Sequence, residues 1–286
     1  EQKQTSTSHA VFRKIIKNKT MLKIHPIPAF TDNYIWAIIN DETQEVIIVD
    51  AGDDKPVLDF VKNQNLTISQ IWVTHHHSDH IGGVTALANA FPNAQVFAHA
   101  NIHPLINATH LIPVAEGREL TAWGSPVQVW QVAGHTENHL AYLLTLDNRL
   151  HIFCGDTLFR AGCGRVFTGT IETLFESFDR FAQLHDDETL FYPAHEYTLS
   201  NLNFAQFIEP NNPAIAQAIA HDSELRQHNT PTLPTSLADE KAINPFMRAV
   251  IAPSDEMIKT VQTQTGIEDD SPFEIFKALH QLKNNF

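Results

Sequence analysis

The chain lacks several features that would otherwise define its class. Within its 286 residues there is no apolar run approaching the roughly eighteen residues that a membrane-spanning helix needs, and no apolar signal-peptide segment. The expectation is neither membrane span nor secretion, with the cytoplasm as the default compartment. Cysteine is scarce: Cys154 and Cys163 are the only two, and neither belongs to a Cys-x-x-Cys pair. That excludes a disulfide framework and predicts reduced thiols. A Gly-x-Ser-x-Gly elbow and a Ser, His and Asp triad are missing, as are internal repeats and low-complexity segments.

Positive charge is in short supply as well. The formal net charge is -14, and residues 1–20 hold five Lys or Arg against Glu1, which leaves about -18 on the remainder. An acidic body of this kind repels nucleic acid and argues against a nuclease. Only fourteen Lys and Arg lie beyond residue 20, so any that fall near a site are candidates for holding an anionic substrate. Residues 1–20 show no core pattern and read as a disordered extension.

Histidine, by contrast, is plentiful. Four of the 17 histidines fall in Thr74-His75-His76-His77-Ser78-Asp79-His80-Ile81-Gly82-Gly83. The preceding Ile71-Trp72-Val73 reads as a buried strand and Ile81–Ala90 as a helix. In an extended chain side chains alternate, so His75 and His77 share one side and can grip one ion while His76 points away. Asp79 and His80, placed at a helix start, approach from another direction and can hold a second ion.

From Met21 the chain is well patterned. Leu22–His25, Asn33–Ile39 and Glu45–Asp50 read as antiparallel strands joined through Pro26, Pro28 and the Asn40-Asp41 turn. Lys55–Asn63 reads as a helix with Pro56 in its first turn. Gln95–Ala98, Val127–Val132, His139–Leu146 and Leu150–Cys154 continue the strands, with Asp147-Asn148 as a hairpin turn. Strands first grouped and then interleaved with helices predict an α/β protein of two face-to-face sheets with helices outside. Beyond residue 195 the strand pattern stops. Leu199–Ile208, Pro213–His228, Ser236–Ile243, Asp255–Gln264 and Pro272–Leu282 read as helices of a smaller domain, with a capping box at Ser236 and Asp239.

Two ions need more ligands than one motif supplies. Gly134-His135-Thr136, Gly155-Asp156-Thr157 and Ala194-His195-Glu196 share one grammar: an apolar strand runs out and then presents a single ligand-type side chain. His139 and Asp50 are candidates to orient ligands from behind.

The His-x-His-x-Asp-His signature resembles that of the metallo-β-lactamase superfamily, which implies an αββα sandwich. A narrower resemblance is to glyoxalase II, the hydroxyacylglutathione hydrolases. It is carried by Thr31-Asp32-Asn33-Tyr34, Thr74–Gly83, Gly134-His135-Thr136, Gly155-Asp156-Thr157-Leu158-Phe159, Ala161-Gly162-Cys163-Gly164, His195-Glu196-Tyr197 and Asn244-Pro245-Phe246-Met247-Arg248. The resemblance implies that His75, His77 and His135 hold one divalent ion, that Asp79, His80 and His195 hold another, and that Asp156 bridges them. Asp79 and Asp156 are then the candidate catalytic carboxylates. Zinc is the first expectation for the ions, with iron or manganese as alternatives.

The resemblance further implies a catalytic part at 21–195 and a helical substrate-binding part at 196–286. Arg165, Phe167, Tyr197 and Arg248 would hold a glutathione thioester, and the chain would act as a monomer without a membrane or nucleic-acid partner. The implied reaction is hydrolysis of S-lactoylglutathione to D-lactate and glutathione, the second step of methylglyoxal detoxification. The alternative is a glutathione persulfide dioxygenase with a single iron on the same fold.

Overall fold

The computed structural model describes residues 22–286; the extension expected at 1–20 lies outside the described residues. Strands β1 (Leu22–Ala29), β2 (Asn33–Asn40) and β3 (Glu45–Val49) form an antiparallel meander. Helix α1 (Asp54–Gln64) then leads to β4 (Thr67–Trp72), which runs parallel to β3. The short α2 (Ser78–Ile81) and α3 (Val84–Ala90) connect to β5 (Gln95–Ala98), and β6 (Leu111–Pro113) completes a six-stranded sheet in sequential order.

The second sheet starts with β7 (Glu119–Ala122), β8 (Ser125–Gln131), β9 (Leu140–Leu146) and β10 (Arg149–Gly155). A small hairpin of β11 (Leu158–Phe159) and β12 (Gly162–Cys163) follows, then α4 (Ile171–Ala182) and β13 (Leu190–Pro193). Helices α5 (Thr198–Ile208) and α6 (Pro213–Gln227) precede a two-residue β14 (Thr235–Ser236). The chain ends with α7 (Leu237–Ile243), α8 (Pro245–Ile251), α9 (Asp255–Thr265) and α10 (Pro272–Asn285). The strand order of this sheet is β14-β13-β10-β9-β8-β7.

Period-two alternation explains the layers. Along β2, Tyr34, Trp36 and Ile38 enter the core between the sheets, whereas Ile35 and Ala37 pack under α1 and α3. Both faces are buried, so the strand reads as a continuous apolar run. On the second sheet Val129, Tyr142 and Phe153 face the first sheet, while Ala141, Leu143 and Ile152 join Phe178, Phe246 and Phe276 from the helices. The result is the expected αββα sandwich.

Several local expectations are corrected. Pro26 and Pro28 lie inside β1, opposite Trp36 and Tyr34; the strand is a sheet edge, where a residue without an N–H is tolerated. The helix expected over Ile81–Ala90 breaks at Gly82-Gly83. A Cβ at Gly82 would stand 2.5 Å from Gly52 O, and one at Gly83 2.4 Å from Asp54 N, so the backbone must pass the loop after β3 closely. The Ser236 hydroxyl accepts from Asp239 N, but the Asp239 carboxylate turns to Arg160, which leaves half a capping box. Strand structure also continues past residue 195, since β14 pairs with β13. The Asp147-Asn148 turn is as expected, with both residues at positive φ.

The C-terminal helices share one apolar cluster with the second sheet. Phe276 is fully buried and contacts Phe175, Phe178 and Phe246. Phe276→Ala should therefore lower stability by roughly 3–5 kcal/mol and shift a single urea transition. Two separated transitions would show that the helices do not share the sheet's core.

Candidate metal centre

The first sheet delivers the histidine motif at the carboxyl end of β4. Residues 73–77 follow β4 outside any helix, with His77 extended, and His75 Nε2 lies 3.0 Å from His77 Nδ1. His135, from the loop between β8 and β9, places Nε2 3.0 Å from the same His77 nitrogen. Asp79 and His80 ride on α2, and His195 follows β13. His195 Nε2 lies 3.2 Å from Asp79 Oδ2 and 3.4 Å from Asp156 Oδ2. Asp156, at the end of β10, stands between the two groups: Oδ2 is also 3.6 Å from His135 Nε2, and Oδ1 is 3.4 Å from His80 Nε2. All seven predicted ligands thus converge, and His76 stays out of the groups.

The donor set fits cations. His80 Nε2 and Asp156 Oδ1 are buried with no hydrogen-bond partner, which is costly unless an ion satisfies them. Within His75, His77 and His135, as within Asp79, His80 and His195, the ligand atoms lie within 4.8 Å of one another. Such spacing suits one ion per group.

The partners behind the ligands fix which nitrogen faces the centre. Asp50 accepts from Thr74 N and Thr74 Oγ1, both at 2.8 Å, and lies 3.0 Å from His80 Nδ1. With its proton given to Asp50, Thr74 Oγ1 is left to accept from His75 Nδ1 at 3.0 Å. His195 Nδ1 meets Asp32 Oδ1 at 2.9 Å, and His135 Nδ1 meets Arg165 O at 2.8 Å. In the His75, His135 and His195 rings Nδ1 is the hydrogen-bonded nitrogen and Nε2 faces the centre; His80 also turns Nε2 inward with Nδ1 toward Asp50, whereas His77 offers Nδ1. Asn33 Nδ2 donates to Asp79 Oδ2 at 3.0 Å. His139 Nε2 accepts from Asp156 N at 3.1 Å, and its ring stacks on His75.

Charge follows the same layout. Burial holds His75 well below the ordinary histidine value and takes His77 down to about 4, so both are neutral, ligand-ready imidazoles. Burial also opposes the charged form of His195, but Asp156 and Asp79 outweigh it and push the ring up to about 10. An ion held by His195 must therefore displace that proton.

The cluster opens into a cavity of about 610 Å³ whose walls include Phe159, Arg165, Phe167, Tyr197 and Lys283. Tyr197 stacks on His195 at 4.7 Å, and Phe167 stands edge-on to His77 and His135.

Residues 31–195 match the metallo-beta-lactamase superfamily, and residues 196–286 match the hydroxyacylglutathione hydrolase C-terminus. A curated hydroxyacylglutathione hydrolase of Neisseria meningitidis serogroup A is 44% identical over 93% of this chain and 100% of its own length. The chain belongs to the hydroxyacylglutathione hydrolase family. Hydroxyacylglutathione hydrolase 2 of Vibrio vulnificus is likewise 44% identical over 93% of this chain and 100% of its own. Among solved structures, ETHE1 from Myxococcus xanthus shares the fold at a TM-score of 0.58 and 23% identity, covering 92% of this chain and 99% of its own.

The fold of this hydrolase family implies a dinuclear divalent metal site, and the His/Asp cluster is where the described residues can form one. On the substrate side Arg165, Phe167 and Tyr197 line the cavity as expected, but Arg248 does not. Its Nε and Nη2 close on the Glu209 carboxylate at 2.7 and 2.9 Å, and Ser254 completes that pair. A fork already matched to a buried carboxylate is not free to bind a ligand. Lys283 of α10 takes the place at the cavity instead. Sequence reasoning missed it; the only signal was its rarity as a cation, since nothing local connects α10 to the histidines.

Asp50 is buried and touches no cavity, yet it orients His80 directly and His75 through Thr74. Asp50→Asn should weaken metal retention about 10–100-fold, measured by competition with a chromogenic chelator. Unchanged retention would remove Asp50 from the support of the centre.

Proposed function

We propose that the protein hydrolyses thioesters between glutathione and 2-hydroxy acids, cleaving S-lactoylglutathione to D-lactate and glutathione in methylglyoxal detoxification. The observation that carries this reading is a buried His/Asp cluster opening into a cavity with two cations, Arg165 and Lys283, in a strongly acidic chain. Glutathione carries two carboxylates, and these two side chains are the complementary groups at hand. The names borne by the curated relatives support the same substrate.

Five imidazoles and two carboxylates favour zinc, with iron or manganese also compatible. When bound, the ions supply Lewis acidity: they lower the pKa of water to about 7 and polarise the thioester carbonyl. The protein does the positioning. Asp79, held by Asn33, and Asp156, held through its backbone by His139, fix the negative charge of the centre. Phe167 and Tyr197 flank the opening, and Arg165 and Lys283 anchor the glutathione end so that the carbonyl lies over the cluster. A thiol of pKa near 8.5 leaves as the thiolate without a general acid, in keeping with the lack of any serine triad.

On this reading residues 21–195 form the catalytic part and residues 196–286 the helical part that brings Tyr197 and Lys283 to the substrate. The protein acts as a cytoplasmic monomer, without nucleic acid or membrane. Two buried free thiols support a reducing compartment, and no described helix is long and apolar enough to cross a membrane.

Arg165→Ala and Lys283→Ala should each raise KM for S-lactoylglutathione about tenfold or more, with kcat much less affected. Oxygen uptake on a glutathione persulfide, with one iron per chain and no thioester hydrolysis, would replace this reading with the dioxygenase.

A further inference from the structure

Asn244-Pro245-Phe246 belongs to the motif whose Arg248 was expected to bind substrate, yet none of the three lines the cavity. Asn244 is fully buried. Its Oδ1 caps α8 by accepting from Phe246 N and Met247 N. Its Nδ2 donates to Gly162 O at 2.9 Å, Phe159 O at 3.3 Å and Glu240 Oε2 at 2.7 Å. Glu240, also fully buried, accepts from Ala161 N at 3.0 Å and from Thr235 Oγ1 at 2.6 Å. Asn201 Nδ2 donates to Arg160 O at 3.1 Å, and the Arg160 side chain closes on Asp222, Thr235 and Asp239.

Side chains from α5, α7 and the α7–α8 junction thus bond one backbone group of each residue from Phe159 to Gly162. That turn has little freedom of its own. Ala161 sits at φ +57, a left-handed conformation that costs a non-glycine residue energy unless its surroundings hold it. Gly162 packs so closely that a Cβ would lie 2.5 Å from Asn201 Nδ2.

What the turn joins gives it meaning. Asp156 lies two residues before β11 and Arg165 two residues after β12. The returning chain is tied to the outgoing one by Gly164 N donating to Thr157 O at 3.2 Å. Arg165 O receives the His135 ring nitrogen, and Phe159 walls the cavity against His195 and Tyr197. A shift of the hairpin would move the Asp156 carboxylate, which stands against both ligand groups, the acceptor that orients His135, and a cavity cation together.

We propose that Asn244 and Glu240 are positioning residues: a buried polar clamp from the C-terminal helices sets the β11–β12 hairpin, and through it Asp156 and Arg165. The proposal rests on the hydrolase reading for its kinetic arm only, because metal retention reports on the clamp whether or not thioesters are the substrate. The helical part then serves the reaction by fixing the metal-side loop as well as by contributing Lys283.

The test compares zinc-loaded Asn244→Ala and Glu240→Gln with Val261→Ala, a cavity-forming control in the buried core at α9, at a temperature where each is fully folded. The glutamine keeps one acceptor oxygen where the carboxylate serves three donors. Asn244→Ala is expected to lower kcat on S-lactoylglutathione about tenfold or more, to raise KM, and to weaken zinc retention against a chelator about tenfold. Glu240→Gln should shift the same quantities less, and Val261→Ala should leave them at wild-type values. Should Asn244→Ala not fold, Glu240→Gln against Val261→Ala still decides. Wild-type kcat, KM and zinc retention in Glu240→Gln and in any folded Asn244→Ala would overturn the proposal, as would equal shifts in Val261→Ala. Wild-type protein without thioesterase activity would count against the hydrolase reading alone, leaving zinc retention to judge the clamp.

Discussion

The structure turns on the burial of ligand-type atoms that no protein hydrogen bond satisfies. His80 Nε2 and Asp156 Oδ1 are out of water without a hydrogen bond and face each other at 3.4 Å, an arrangement that costs free energy unless cations satisfy both. Every element around the site serves that convergence. Two sheets bring the ends of β4, β10 and β13 together, and loops rather than strands present the side chains. The sandwich core, with Trp36, Trp72 and Tyr142 packed between the sheets, keeps those ends in register. A rigid scaffold of this kind lets seven groups from four chain segments meet without ordering a long loop for each.

The support behind the ligands explains why the centre is selective in orientation. Asp32, Arg165 O and Thr74 Oγ1 hydrogen-bond the far nitrogens of His195, His135 and His75, and Asp50 lies 3.0 Å from that of His80, which turns the near nitrogens inward. Within the centre Asp156 and Asp79 outweigh burial and favour protonated His195, and His195 in turn holds Asp79 ionised. Ion binding at His195 is thereby coupled to loss of its proton. Further out, the clamp at Asn244 and Glu240 applies the same logic to backbone, satisfying the buried polar groups of a turn so that the turn has a single conformation.

Much of this was legible in the sequence, for identifiable reasons. Side-chain alternation in an extended segment paired His75 with His77 and set His76 aside. The recurrence of an apolar strand ending in one ligand-type residue identified His135, Asp156 and His195. Continuous apolar runs located the central strands β2, β3 and β9, because these are buried on both faces. The misses have physical causes too. Pro26 and Pro28 read as breaks since nothing in a sequence says which strand is an edge. Gly82 and Gly83 split a helix because of a loop 30 residues away in sequence. Arg248 was assigned to substrate, and Lys283 overlooked, because a cation's partner is decided by tertiary packing: Glu209 was waiting for one, and the cavity received the other.

The central claim is that the seven side chains form one dinuclear site. Its most direct test is elemental analysis of the protein after incubation with excess zinc and removal of free metal. The account predicts two zinc ions per chain, falling to one or fewer when Asp156, which stands against both groups, is replaced by alanine. One ion per chain in the unaltered protein, or two in Asp156→Ala, would contradict it.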